Sequence, residues 1–263
     1  SPPLLTLHKA SVGYDPGKPI LARMSLRFDP DDRIALLGEN GNGKSTLAKL
    51  LAGKLSVMDG ELVRARKWVP GYFAQHQLEE LDGSLTPIET LSRLRQKLPM
   101  EQARAQLGGF GFSAGKATTR VADLSGGERA RLTLALATLD KPNMLILDEP
   151  TNHLDISTIE WLEEEVRRFD GTVLFVTHDR GFVDAVATDV VLLAATKKLE
   201  CYKGGYASFE KQRASRRRHQ RKAHARQARA RRVRSLCAAW IANLRAGTAV
   251  AAVSYTPLRA HET

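Results

Sequence analysis

The chain has 263 residues, 43% hydrophobic and 26% charged, with a net charge of +11, so it can bury a proper core as one large α/β domain or two small ones. It contains no apolar run of about 18 residues, which excludes a helical membrane span. The charge is uneven: residues 211–263 hold 14 Lys/Arg and one acid, Glu262, whereas residues 1–210 hold 26 basic and 28 acidic residues. A basic tail on a nearly neutral body points to a contacted polyanion or to a solvated charged helix.

Ser1-Pro2-Pro3 lacks the basic and apolar regions of a signal peptide and an initiator Met, as expected of a piece of a longer protein. Cys201 and Cys237 have no metal-type spacing, and a thiol-reduced, cytosolic setting is expected. Leu4–His8 and Ile20–Phe28 read as strands joined through a turn at Asp15-Pro16-Gly17, with Tyr14 beside the first strand. Arg33–Leu37 is a short apolar segment between Asp31-Asp32 and Gly38, which predicts a buried strand. Thr46–Ala52 then predicts a helix with a glycine stop at Gly53.

Between them lies Gly38-Glu39-Asn40-Gly41-Asn42-Gly43-Lys44-Ser45-Thr46, the pattern G-x-x-x-x-G-K-[ST]. Its glycines let backbone N–H groups turn around a polyphosphate, and the helix N-terminus adds partial positive charge. Lys44 would reach the β- and γ-phosphates, and the Ser45 hydroxyl would hold Mg²⁺. The strand and helix on either side argue against a chance glycine-rich turn.

Gly60–Val63 and Val69–Ala74 suggest two more strands, the second running into Gln75-His76-Gln77. Thr86-Pro87-Ile88-Glu89 carries an N-cap, a first-position proline and a capping box. A helical lobe is expected over about 86–140. Within it Ser125-Gly126-Gly127-Glu128 opens a second anion-binding helix end, which cannot easily serve the first loop within one monomer.

Met144–Leu147 predicts a buried strand that delivers Asp148 and Glu149 to the edge where ligands bind in open α/β sheets. Asp148 would hold Mg²⁺, and Glu149 would polarise the water attacking a γ-phosphate. Asp155–Phe169 reads as a helix, Thr172–Val176 as a third buried strand ending at Thr177-His178-Asp179, and Asp189–Ala194 with Leu199–Tyr202 as a closing hairpin. Residues 211–234 hold twelve Lys/Arg and no acid, Gly or Pro, which predicts a basic helix. It runs into a stripe of Val233, Leu236, Cys237, Trp240, Ile241 and Leu244, suited to one arm of a helical hairpin.

The phosphate loop, Gln75, Leu124-Ser125-Gly126-Gly127, Asp148-Glu149 and His178 together resemble an ATP-binding cassette, over roughly residues 4–205. The stretch Glu149-Pro150-Thr151-Asn152-His153-Leu154-Asp155 resembles the ABC-F proteins, soluble twin-cassette ATPases of the ribosome. The implied fold is α/β: a P-loop NTPase cassette with an antiparallel β subdomain and an α-helical lobe, then a basic helical tail. The implied domains are a cassette over 1–205, a basic linker or arm over 206–247, and a non-native or disordered tail over 248–263. Within that tail Ser254–Glu262 resembles translated sequencing-adapter read-through.

The resemblance also implies roles. Glu149, His178 and Gln75 would be catalytic, and Ser45, Gln75 and Asp148 would hold Mg²⁺. Gly38, Asn40, Gly41, Asn42, Gly43, Lys44, Ser45 and Thr46 would cradle ATP while Tyr14 stacks on adenine. Ser125, Gly126, Gly127 and Asp155 would serve ATP held by a second cassette, of the same full-length chain or of a homodimer. The basic tail would contact the ribosome or RNA, with no membrane and in the cytoplasm. Glu128–Leu132 resembles a second cassette, whereas the helix after Tyr206 resembles the linker that follows a first one. The competing reading is the ATP-binding subunit of a membrane transporter. A DNA-repair or chromosomal ATPase fits poorly, because such cassettes are split by a long insertion and 38–153 is continuous.

Overall fold

The computed structural model describes residues 2–96 and 98–245. Expectations for residues 248–263 fall outside them. The chain divides into two units, Ser1–Glu210 and Lys211–Thr263.

The first unit opens with strands β1 (Leu5–Val12) and β2 (Leu21–Phe28), which pair antiparallel around a turn where Lys18 N donates to Asp15 O. Then come β3 (Arg33–Gly38), helix α1 (Lys44–Leu51) and β4 (Asp59–Arg64). Strand β5 (Pro70–Ala74) ends at the expected Ala74, and the chain turns through Gln75 into a short helix α2 (His76–Glu79). Helices α3 (Pro87–Leu94), α4 (Met100–Gly109) and α5 (Gly126–Ala137) follow, with 3₁₀ turns at Lys116–Thr118 and Val121–Asp123. Next are β6 (Met144–Asp148), α6 (Ile156–Arg168), β7 (Thr172–Val176), α7 (Arg180–Val186), β8 (Asp189–Leu193), β9 (Leu199–Lys203) and α8 (Tyr206–Arg245). Helix α7 is too short to show a clear helical period and is not anticipated from the sequence. Its start is marked by Asp179, whose carboxylate accepts from Phe182 N.

Two sheets result. One is three-stranded and antiparallel, in the order β2-β1-β4. The other is six-stranded, β5-β6-β7-β3-β8-β9, parallel except for β9, which closes the sheet as an antiparallel hairpin with β8. The fully buried runs of β6 and β7 explain their unbroken apolar sequences. This is the expected α/β class: a parallel sheet, an antiparallel subdomain and a helical lobe.

Helix α1 is only eight residues long and could not persist alone in water. Leu47, Leu50 and Leu51 anchor it against Met144, Ile146, Leu174 and Val176 of the sheet. Truncating one such leucine to alanine typically costs about 2–5 kcal/mol. The opposite face of the sheet packs on Leu162 and Val166 of α6 and on Phe182 and Val183 of α7. A third core, around Ile88, Leu91, Leu107, Val121 and Leu132, belongs to the helical lobe.

Arg33, at the start of β3, ties two layers together. Its guanidinium donates to Val166 O at 2.9 Å, Phe169 O at 2.5 Å and Gly171 O at 2.6 Å, carbonyls at and just past the C-terminal end of α6. Helix ends leave such carbonyls without partners, and a cation there also meets the negative end of the helix dipole. Burial lowers the Arg33 pKa, but the group remains charged.

Helix α8 is 40 residues long, and its described residues from Lys211 onward belong to the second unit. The apolar positions Val233, Leu236 and Ile241 are exposed. No helix among the described residues is long and apolar enough to cross a membrane.

Candidate functional site

The order β5-β6-β7-β3 brings four strand ends to one edge of the sheet. Ala74 pairs with Asp148 and Asp148 with Val176, so Gln75, Glu149 and the segment leading to His178 all leave the sheet at the same level. Gly38 leaves β3 at that edge too, and α1 begins after a tight loop. Gly43 caps α1 at φ 104°, and a Cβ there would come within 3.0 Å of Leu21. Both backbone and space therefore demand glycine at Gly43.

A cavity of about 500 Å³ opens at this edge, lined by Ile20, Asn40, Gly41, Gly43, Lys44, Ser45, Thr46, Glu149, Asn152 and His178. Lys44 is buried, and its Nζ donates to Gly38 O at 2.8 Å and to Asn40 Oδ1 at 3.2 Å, with His178 Nε2 also at 3.2 Å. Burial lowers its pKa, partly offset by Glu149 and Asp148. Among the described residues no carboxylate hydrogen-bonds the ammonium, so an arriving polyphosphate would bring it a direct counter-charge.

Asp148 accepts on both oxygens, from Ser45 Oγ at 3.2 Å and from Tyr72 Oη at 3.3 Å. Burial, then the Asp148 charge, drives the Tyr72 pKa well up, so the phenol stays a donor. Ser45 and Asp148 thus present oxygens to one point. Gln75 Oε1 accepts from Asn152 Nδ2 at 3.0 Å. A hydroxyl and a carboxylate suit a hard cation such as Mg²⁺, which takes few protein ligands and completes its shell with phosphate and water, whereas Gln75 lines a neighbouring pocket with Gly126, Asn152 and His153. Among the described residues no cluster of three or more His, Cys, Asp or Glu could hold a metal by itself.

Glu149 sits at φ 54°, a costly conformation for a residue with a side chain, and its Oε2 is buried with no hydrogen-bond partner among the described residues. Its Oε1 lies 3.5 Å from His178 Nε2. Burial raises the Glu149 pKa against the opposing pull of His178 and Lys44. A strained carboxylate with a buried, unpartnered oxygen is poised for a water or ligand.

The remaining predicted residues lie off this cavity. Tyr14 is 54% exposed, with Lys49 Nζ 5.5 Å from its ring centre. Asn42 Nδ2 donates to Leu193 O, fixing the loop rather than facing the cavity. Ser125 caps α5, its hydroxyl accepting from Glu128 N, while Glu128 pairs with Lys116 at 2.9 Å. Asp155 caps α6 by accepting from Thr158 N at 2.8 Å. The two glycines of α5 differ. A Cβ at Gly127 would lie 2.3 Å from Thr158 Oγ1, so packing on α6 requires glycine there. A Cβ at Gly126 would meet nothing nearer than His153 O at 4.0 Å. This chain's own packing does not explain Gly126.

Three contacts are not readable from the sequence: Tyr72 to Asp148, Asn152 to Gln75, and the buried hydroxyl pair Thr151–Thr177 at 2.9 Å. Thr151 and Asn152 stand inside the Glu149–Asp155 stretch, but only the fold reveals what they touch.

Known proteins resemble this chain in sequence and in fold. The ABC transporter family profile matches residues 21–152, and a second profile of the same description matches residues 194–254. The "Probable ATP-binding protein YheS" of Escherichia coli strain K12 is 44% identical over 209 residues, 80% of this chain and 32% of that protein. The mouse protein "ATP-binding cassette sub-family F member 3" is 44% identical over 190 residues, 72% of this chain and 27% of that protein. The chain thus spans about a third or less of the length of these curated relatives. Among solved structures, the dimeric post-hydrolysis state of the ATP-binding cassette MJ0796 bound to ADP and Pi has a similar fold, with a TM-score of 0.63 at 19% identity, covering 76% of this chain and 98% of that one. The chain belongs to the ABC transporter family, as an ATP-binding cassette of the ABC-F type.

Proposed function

We propose that this cassette binds and hydrolyses Mg·ATP as one half of a cassette pair, and that the protein acts on the ribosome during translation, in the cytoplasm. The observation that carries the ATPase reading is the convergence of Lys44, Ser45, Glu149 and His178 on one cavity, with Asp148 hydrogen-bonded to Ser45 beside it. Lys44 and the loop N–H groups hold the β- and γ-phosphates. Ser45, Asp148 and Gln75 would hold Mg²⁺, whose charge would offset that of the phosphates. Glu149 accepts a proton from the attacking water, and His178 hydrogen-bonds the γ-phosphate. Tyr14, with its side chain open to solvent, stacks on adenine.

The need for a partner is supported by Ser125-Gly126-Gly127 lying off the cavity and by the unexplained glycine at Gly126. A backbone stripped of side chain at a helix N-terminus suits close approach by a phosphate from outside the chain. Asp155 caps the neighbouring helix and serves the same partner. The ribosomal reading rests on the ABC-F likeness and on the basic helix, whose charge suits RNA.

Replacing Lys44 with Ala tests the nucleotide site. The variant is expected to bind a fluorescent ATP analogue at least about tenfold more weakly, the scale of one lost charge-assisted hydrogen bond of about 1.5–3 kcal/mol. Unchanged affinity in a folded variant would remove this loop as the ATP site.

A further inference from the structure

Thr151 and Asn152 bridge three segments of the phosphate edge. Asn152 Nδ2 donates to Gln75 Oε1 at 3.0 Å, across 77 residues of sequence. Thr151 Oγ1 shares a hydrogen bond with Thr177 Oγ1 at 2.9 Å in a fully buried pair, and Thr177 Oγ1 also accepts from Asp179 N at 3.1 Å. That pair fixes the Thr151 backbone against the end of β7, one residue before His178. Glu149 and His153, two residues before and after Thr151, both have positive φ, at 54° and 61°. Such conformations persist only where surrounding contacts over-determine them, and here the proline at 150 and the Thr151–Thr177 bond do so.

We propose that Asn152 is a positioning residue for Gln75, latched to the His178 strand end through Thr151 and Thr177. This rests on the ATPase reading above. A carboxamide oxygen has two acceptor sites. The Asn152 N–H takes one and leaves the other for Mg²⁺, and it also decides which way round the Gln75 amide is held. A glutamine on a loop otherwise has several rotamers, and freezing them costs entropy at the moment the metal binds. Asn152 meets that cost in advance. Aspartate at this position has the same size but cannot donate. It would attract the Gln75 NH₂ and turn the amide over, presenting nitrogen where oxygen is needed.

The test is a double-mutant cycle in the full chain with Gln75→Ala, Asn152→Ala and the isosteric Asn152→Asp. Two quantities are read: Mn²⁺ binding to the ATP-loaded protein by electron paramagnetic resonance, with Mn²⁺ as the probe for Mg²⁺, and kcat and KM for ATP. Partners of metal ligands typically contribute 10- to 100-fold. Asn152→Ala and Asn152→Asp are therefore each expected to weaken Mn²⁺ binding and lower kcat by about 10-fold or more, with KM within about twofold. In the Gln75→Ala background the Asn152 changes should add less than about twofold, because both act through one group. Losses that multiply in the double variants, or Mn²⁺ affinity unchanged by Asn152→Asp, would overturn the proposal. A wild-type chain showing no ATP-dependent Mn²⁺ binding would overturn the ATPase reading itself. Additive losses in a wild type that binds and hydrolyses ATP would remove only the role of Asn152.

Discussion

Glu149→Gln is expected to keep Mg·ATP affinity within about twofold while lowering hydrolysis by about 10²–10⁴-fold, the usual contribution of a positioned general base. The substitution preserves size and leaves Lys44, Ser45 and Asp148 in place. It removes only the capacity to take a proton from water. The surroundings of Glu149 suit a base, with a strained backbone at φ 54°, a buried oxygen without a partner among the described residues, and a pKa raised by burial. The sign of that shift matters. A carboxylate with a raised folded pKa favours the folded state at acid pH, and this contribution is lost as pH rises through the folded value. Base activity runs the opposite way and appears only above that value. The acid limb of the turnover profile should therefore lie above the ordinary glutamate range. In a protein with both cassettes, the slow variant should accumulate the ATP-bound, closed pair. Steady-state hydrolysis within about twofold of wild type would take the base role from Glu149.

Removal of residues 211–263 is expected to abolish binding to ribosomes or RNA and to leave ATP binding by the first unit intact. The segment 211–234 carries twelve positive side chains and no negative ones. At about 1.5 Å rise per residue, that is one charge roughly every 3 Å along the helix. Such density is unfavourable unless solvent or a polyanion screens it. If about half of these side chains meet phosphates, the log–log slope of affinity against salt should be about −5. Contacts of that kind position a duplex or a loop without reading its sequence. Equal binding by the full chain and the shortened one, at the same salt sensitivity, would reduce the helix to a solvated linker.

Much of the architecture was legible because its local signals are strong. The apolar runs at 33–37, 144–147 and 172–176 are too short for helices and are bounded by turn residues, and they became β3, β6 and β7. Thr86 and Ser125 announced α3 and α5, and both form complete capping boxes. Short elements were harder. Helix α2 has four residues and none buried, so no periodic stripe marks it. At the candidate site, residues carried by motifs could be named from the sequence: Lys44, Ser45, Asp148, Glu149 and His178 lie around or beside one cavity. Their supporting contacts could not be named. Tyr72, Asn152 and the Thr151–Thr177 pair act across separations of 26 to 77 residues, set by strand order rather than by local pattern. Gly127 adds a packing requirement that no local pattern shows: a Cβ there would lie 2.3 Å from Thr158 Oγ1, 31 residues away.

The central claim is that an active site forms only between two cassettes, the phosphate loop of one meeting the Ser125-Gly126-Gly127 end of the other. The most direct measurement is ATP turnover per molecule of the full chain as a function of its concentration, with the association state followed in parallel by sedimentation. Turnover per molecule is expected to be low in dilute solution and to rise as pairs form, or on addition of a complementary cassette. Robust turnover that stays constant across concentration, in a sample that sediments as a monomer throughout, would contradict it.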